Sequence, residues 1–123
     1  MRTYKDLDVW KNGVELVKKI YATTSDFLKE EMHGLTSQKR KSAISIPSYI
    51  AEGSARNGTK EFIQFPYIAL GSAAELETQL IISKDLGYLK DLSLFEDLWK
   101  IKAQLINLKL ETIQRETFNV WLN

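Results

Sequence analysis

The chain has 123 residues, 44% hydrophobic and 27% charged, which is the profile of one soluble globular domain with a small core. Lys and Arg number 17 against 16 Asp and Glu, a formal net charge of +1, so any nucleic-acid surface must come from charge segregation and not from bulk charge. Cysteine is absent, which removes disulfides, thiolate nucleophiles and thiolate metal sites together and fits a reducing cytoplasm.

The N-terminus "MRTYKDLDVWKNG" has no apolar stretch of signal-peptide length, and no apolar run approaches the roughly 18 residues of a membrane helix. The expectation is a cytoplasmic, bacterial-type protein. Strand-like alternation is rare and helical spacing is common. Helix 1 is predicted over about 7–25, capped by Asp6 or Asp8. One stripe runs through Leu7, Trp10, Val14, Val17 and Tyr21, and a neighbouring one through Gly13, Leu16, Ile20 and Phe27. The connector "DFLKEEMHGL" follows.

Helix 2 is predicted over 36–53, with Gly53 as its C′ stop, and Asn57-Gly58 marks the next turn. Helix 3 runs over 59–86 and stops at Gly87; at roughly 27 residues it spans about 40 Å. Helix 4 covers 93–118. Ser93 and Glu96 have the spacing of a capping box, and Leu94, Leu98, Ile101, Leu105, Leu108 and Thr112 form its main stripe. Trp99, Ile106, Leu110 and Ile113 form a second. Four helices with short connections predict a single all-α domain, an antiparallel up-down four-helix bundle.

Helix 3 carries more apolar surface than the single stripe usual for a helix of a monomeric bundle. Phe62, Phe65, Ala69, Ser72, Leu76 and Leu80 line one side, and Ile63, Tyr67, Leu70, Ala74 and Ile81 another. Helix 2 likewise offers Ala43, Ile46 and Ile50 beside Ile44 and Ala51. Trp121 and Leu122 add an apolar tail. Two explanations stand: helices 2 and 3 are central and wide-faced, or a homo-oligomer buries the second faces. The small residues of "GSAA", Gly71 and Ser72 among them, admit a close helix in either case.

Pro47 and Pro66 each remove an intrahelical hydrogen bond and crowd the carbonyl four residues back. Their distances from the Gly53–Thr59 turn predict equal heights and a hairpin that bends as one unit, with Ser45 and Ser48 helping to satisfy freed groups.

Catalytic signals are sparse. His33 is the only histidine and reads as a loop residue, since histidine ligands come in clusters. No nucleophile elbow or glycine-rich phosphate loop is present. Glu75 and Glu77 lie in the apolar middle of helix 3, where a buried carboxylate needs an Arg, Lys or Tyr partner. Glu52 closes helix 2, where the dipole disfavours an anion, and is expected to be a buried anchor to Arg56 or Lys60. No enzymatic activity, cofactor or metal is expected. Lys39, Arg40 and Lys41, with Lys18 and Lys19, form the candidate phosphate surface; the alternative is a solvated charged face. Three cations near a helix N-terminus oppose its dipole, a cost that phosphate would relieve.

Three runs, "LDVWKNGVELVKKIY", "HGLTSQKRKSAISIPSYIAEGSAR" and "EFIQFPYIALGSAAELETQL", resemble the four-helix-bundle proteins named for intervening sequences in bacterial 23S ribosomal RNA genes. The accessory proteins of diversity-generating retroelements are related to them. The resemblance spans about Leu7 to Tyr88, in several motifs in the same order. Recurrent family positions match here at Val9, Trp10, Tyr21, Gly34, Leu35, Gln38, Arg40, Ile46, Ile50, Ala51, Glu52, Gly53, Arg56, Phe62, Ala69, Gly71, Ser72, Glu75, Leu76 and Glu77. His33 replaces a usual tyrosine, Pro66 a usual aliphatic residue, and a usual proline near Phe27 is missing. Lys39 and Lys41 keep the charge of a usual arginine pattern without its fork.

The resemblance implies an up-down bundle, assembly as a ring-shaped homopentamer, and no established enzymatic activity. The retroelement relatives bind nucleic acid and a reverse transcriptase through basic surfaces. The expected function is therefore a non-enzymatic homo-oligomer that associates with RNA, DNA or a nucleic-acid-bound partner through a basic surface. The alternative is a protein–protein assembly module that binds no nucleic acid.

Overall fold

A computed structural model describes residues 3–24, 34–55 and 59–122, without the side chains of 59–63, 115, 116 and 119. His33, Phe27, Arg56, the Asn57-Gly58 turn and the side chains of Lys60, Phe62 and Ile63 lie outside the described residues. A short 3-10 turn, Tyr4–Asp6, precedes four helices: α1 Asp8–Thr24, α2 Leu35–Ala55, α3 Thr59–Asp85 and α4 Ser93–Leu122. Each packs on its neighbours in chain order, and α4 closes back on α1.

Side-chain pairs give the directions. Asn12 donates to Gln104 at 3.0 Å, and Lys19 meets Asp97 at 2.6 Å. Moving up α1 from 12 to 19 moves down α4 from 104 to 97, which is an antiparallel pair. Gly13 faces Pro47 while Arg40 reaches Thr24, so α1 and α2 are antiparallel too. The up-down bundle expected from the stripes is the fold.

Several boundaries differ for physical reasons. Asp6 does not cap α1: its carboxylate accepts the Thr3 N–H at 2.9 Å while Thr3 Oγ1 accepts from Lys5 N, closing the 3-10 turn. The buried line of α1 is Val9, Gly13, Leu16, Ile20 and Thr24. Leu7, Trp10 and Val17 pack only along its edge, and Tyr21 is exposed. The smallest residue faces the neighbour because Pro47 needs the room; a Cβ at Gly13 would lie 3.4 Å from Pro47 Cβ.

Gly53 is not the stop of α2, which continues to Ala55. Its backbone is not left-handed; among the described residues only Gly87 has a positive φ. Gly53 is buried against α3, and a Cβ there would run into Phe65 Cβ and lie 2.6 Å from Phe65 Cγ. That contact also corrects the proline register. Pro66 follows Phe65 beside Gly53, whereas Pro47 sits six residues further from the turn along α2, about 9 Å of helical rise. The two prolines therefore do not share a height. The Ser45 hydroxyl donates to the Lys41 carbonyl at 2.9 Å, not to the carbonyl of Ala43 that Pro47 frees.

Gly87, φ 81°, ends α3 as expected. Its N–H bonds Lys84 O at 3.0 Å and the Tyr88 N–H bonds Ser83 O at 2.8 Å, the paired closure that a left-handed C′ residue permits. At α4 the cap differs: Asp91 Oδ1 accepts both the N–H (3.0 Å) and the hydroxyl of Ser93. A carboxylate two residues upstream thus replaces the predicted Ser93–Glu96 exchange.

The core is built from Leu16, Ile20, Ile46, Ile50, Phe65, Leu76, Leu80, Leu94, Leu98, Ile101 and Leu105, each at most 2% exposed. Around the upper ends of α1 and α3 and the start of α2 it turns polar, with Thr24, Thr36, Lys39, Ser42, Gln79 and Ser83 all buried. The second faces are open: Ile44, Tyr67, Ile81, Trp99, Ile106 and Leu110 are 41–54% exposed. Beyond Thr112 the described side chains of α4 are all exposed, and residues 113–122 rise about 15 Å.

Glycine packing gives a paired test. Gly53→Ala should destabilise the fold by about 1–3 kcal/mol through overpacking against Phe65. Gly71→Ala, whose new methyl meets nothing within 4 Å, should raise stability by up to about 1 kcal/mol. Urea unfolding of both variants measures the difference; equal effects would show that the Gly53–Phe65 approach does not constrain the bundle.

Candidate nucleic-acid interface

The five cations read as one surface separate in three directions. Lys39 is 1% exposed and lies on the inward line of α2 with Thr36, Ser42 and Ile46. It is removed from the candidate surface: the helical period that puts Arg40 and Lys41 outside turns their neighbour inward. Its charge is carried within the polar layer of the core.

Lys19 turns toward α4 and pairs with Asp97 at 2.6 Å. The hydrogen bond to Asp97, then that carboxylate's charge, raises the Lys19 ammonium above its ordinary pKa. Lys18 is exposed and pairs with Glu15 one turn earlier at 2.9 Å. Both lysines thus have a carboxylate at hand, which leaves them weaker phosphate ligands than the sequence suggested.

Arg40 and Lys41 remain together. With Tyr21, Ser37, Ile44 and Ser45 they line an open groove of about 420 Å³ between α1 and α2. The Arg40 guanidinium lies 4.5 Å from the Tyr21 ring centroid, and its Nε donates to Thr24 Oγ1 at 2.9 Å. That hydroxyl in turn donates to the Ile20 carbonyl at 2.7 Å. The cation is held by stacking and a neutral acceptor and has no carboxylate partner among the described residues, none of which takes its terminal nitrogens. Lys41 is exposed and has no side-chain partner among the described residues. The result is two cations, an aromatic ring and two hydroxyls on one concave strip.

Tyr21 was legible in the sequence as an apolar stripe residue, yet it is the groove wall. Its spacing alone does not distinguish an inner from an outer stripe.

The carboxylates also fall differently. Glu52 and Glu75 are exposed, not buried anchors. Glu75 Oε1 accepts from Gln79 at 3.4 Å, and the proposed partners of Glu52, Arg56 and Lys60, lie outside the described side chains. Glu77 is half-buried and finds a lysine partner of the expected kind, Lys102 Nζ at 3.3 Å, together with Trp99 Nε1 at 2.6 Å, which the sequence did not suggest. Among the described residues no three His, Asp or Glu side chains converge as a metal set, and no helix is long and apolar enough to cross a membrane. Of the oligomer candidates, Gly71 is exposed with open space around it, Ser72 is half-buried, and Pro47 and Pro66 are buried within the protomer.

The Asp91 cap is pH-sensitive. The Ser93 hydroxyl first, and then the Ser93 N–H, hold the Asp91 carboxyl below its ordinary range. A depressed pKa adds stability that is present above the unfolded value and is lost as pH falls through the folded one. Asp91→Ala should therefore cost about 1 kcal/mol at neutral pH, and the gap from the parent should close on acidification below the native Asp91 pKa. Urea titrations at both pH values check it; a gap that does not change with pH would mean the carboxylate is not the cap.

The sequence profile of the 23S rRNA-intervening sequence protein family matches residues 5–115. The chain matches no curated protein. With the match covering nearly the whole bundle, this chain belongs to the 23S rRNA-intervening sequence protein family.

Proposed function

We propose that this member of the 23S rRNA-intervening sequence protein family is a homo-oligomer without catalytic activity of its own. On this reading it associates with structured RNA or DNA through the groove of Tyr21, Arg40 and Lys41. A single observation carries the proposal: an arginine stacked on an aromatic ring, with no carboxylate partner among the described residues, beside an exposed lysine. Such a strip meets phosphates by charge and an unpaired base by stacking. The family's name points toward RNA. On this reading the protein works in the cytoplasm of a bacterial cell.

Filter binding with structured RNA and DNA across a salt series tests the interface. Binding should weaken steeply with salt, and Lys41→Gln should lower affinity and reduce the salt slope by about 1. Lys39→Met, which keeps the buried stem, should leave affinity unchanged. Absence of salt-sensitive binding at micromolar protein would falsify the proposal.

Assembly is supported separately by the unpartnered end of α4, where Phe118, Val120, Trp121 and Leu122 are 62–84% exposed. That surface also favours the second reading, an assembly module that recruits protein alone. Family resemblance sets the expected number of copies at five. Light scattering should give a mass several times that of one chain, and Phe118→Ala with Trp121→Ala should lower it. A single-chain mass for the unaltered protein would remove the assembly claim.

A further inference from the structure

The edge of the bundle opposite the cationic groove has a different chemistry. Between α3 and α4 lies a groove of about 390 Å³, within the usual volume range of ligand sites. Its floor is apolar: Ile81, Leu92 and Trp99 are 45%, 53% and 54% exposed. Phe95 stands behind Trp99 with its ring centroid at 6.0 Å.

Trp99 is held in place. Its indole N–H donates to Glu77 Oε2 at 2.6 Å, and Lys102 binds the other oxygen of the same carboxylate at 3.3 Å. Glu77 is thereby satisfied, and the indole is oriented before any ligand arrives, which lowers the ordering cost of binding. The rim also bears Asp85 and Glu96, both exposed and without an ion pair among the described residues, together with one ammonium, Lys84. An apolar floor, a fixed indole and two uncommitted carboxylates are complementary to a guanidinium flanked by apolar side chains. They repel phosphate.

We propose that the α3–α4 groove binds a segment of a partner polypeptide in which an arginine sits between apolar residues. The apolar side chains cover Ile81 and Leu92, and the guanidinium lies over Trp99 within reach of Asp85 and Glu96. The inference does not rest on nucleic-acid association, because the cationic groove opens between α1 and α2. Together the two edges would let one protein hold nucleic acid on one side and a basic polypeptide on the other.

The test follows the Trp99 indole N–H resonance of ¹⁵N-labelled protein, identified by its loss in Trp99→Phe. The probes are a short synthetic peptide with arginines between leucines and its counterpart with uncharged citrulline for arginine. The arginine peptide should shift the resonance saturably, and the citrulline peptide should bind about fivefold more weakly. Asp85→Asn with Glu96→Gln, surface changes that leave the core intact, should weaken arginine-peptide binding by a similar factor while RNA retention on filters stays unchanged. Three results would overturn the inference: no saturable shift, equal binding of the two peptides, or equal binding by the double variant. A resonance that moves with protein concentration alone would also overturn it, since a second copy would then cover the groove.

Discussion

The contact of α2 with α3 at Gly53 and Phe65 is the constraint on which the remaining geometry depends. Two helix backbones approach this closely only where one residue has no side chain, so the pair locks one register. That register places Ile50, Ile46 and Ala43 of α2 along the buried line of Ala69, Ala73 and Leu76 in α3. It leaves Pro47 facing the gap that Gly13 provides in α1. A glycine in a helix costs about 1 kcal/mol in propensity, and at Gly53 and Gly13 the packing of a phenyl ring and a pyrrolidine ring offsets it. Where nothing fills the space, at Gly71, the helix carries the cost without any compensation inside the protomer.

With the register set, the angular position of each helix decides which side chains do chemistry. Three consecutive residues, Lys39, Arg40 and Lys41, end in the core, on a tyrosine and in solvent respectively. On α1, Lys19 turns toward α4 and Tyr21 toward α2. The two edges of the bundle consequently differ in sign. The α1–α2 edge presents Arg40 and Lys41 on an aromatic wall, and the α3–α4 edge presents Asp85 and Glu96 around an indole. A formal net charge of +1 conceals that division.

Much of the architecture was legible because helical periodicity is local. The α4 stripe through Leu94, Leu98, Ile101, Leu105 and Thr112 is the buried one, and Gly87 ends α3 as its composition indicates. The surplus apolar faces expected on α3 and α2 and at the apolar tail are open at Tyr67 and Ile81, at Ile44, and at Trp121 and Leu122. Misreadings arose where two stripes competed or where a residue type has two uses. On α1 the sequence offered two stripes without deciding between them, and the one with Gly13 is inside, where Pro47 takes the space. Gly53 looked like a stop and is a packing surface. Glu52 and Glu75 looked buried because their neighbours are apolar, yet both face outward.

The sequence by itself determined four helices, their order and their short connections, since these depend on side chains within a few turns of each other. Its motifs also carried the family. The cationic site was only half legible: the type of group and its place on α2 were visible, its membership was not. Only the tertiary structure decided that Lys39 is buried, that Lys18 and Lys19 have carboxylate neighbours, and that Tyr21 and Thr24 hold Arg40 ready. Each of those facts depends on the rotation of one helix against another, and that rotation is set by long-range packing at Gly53 and Gly13, which no local pattern encodes.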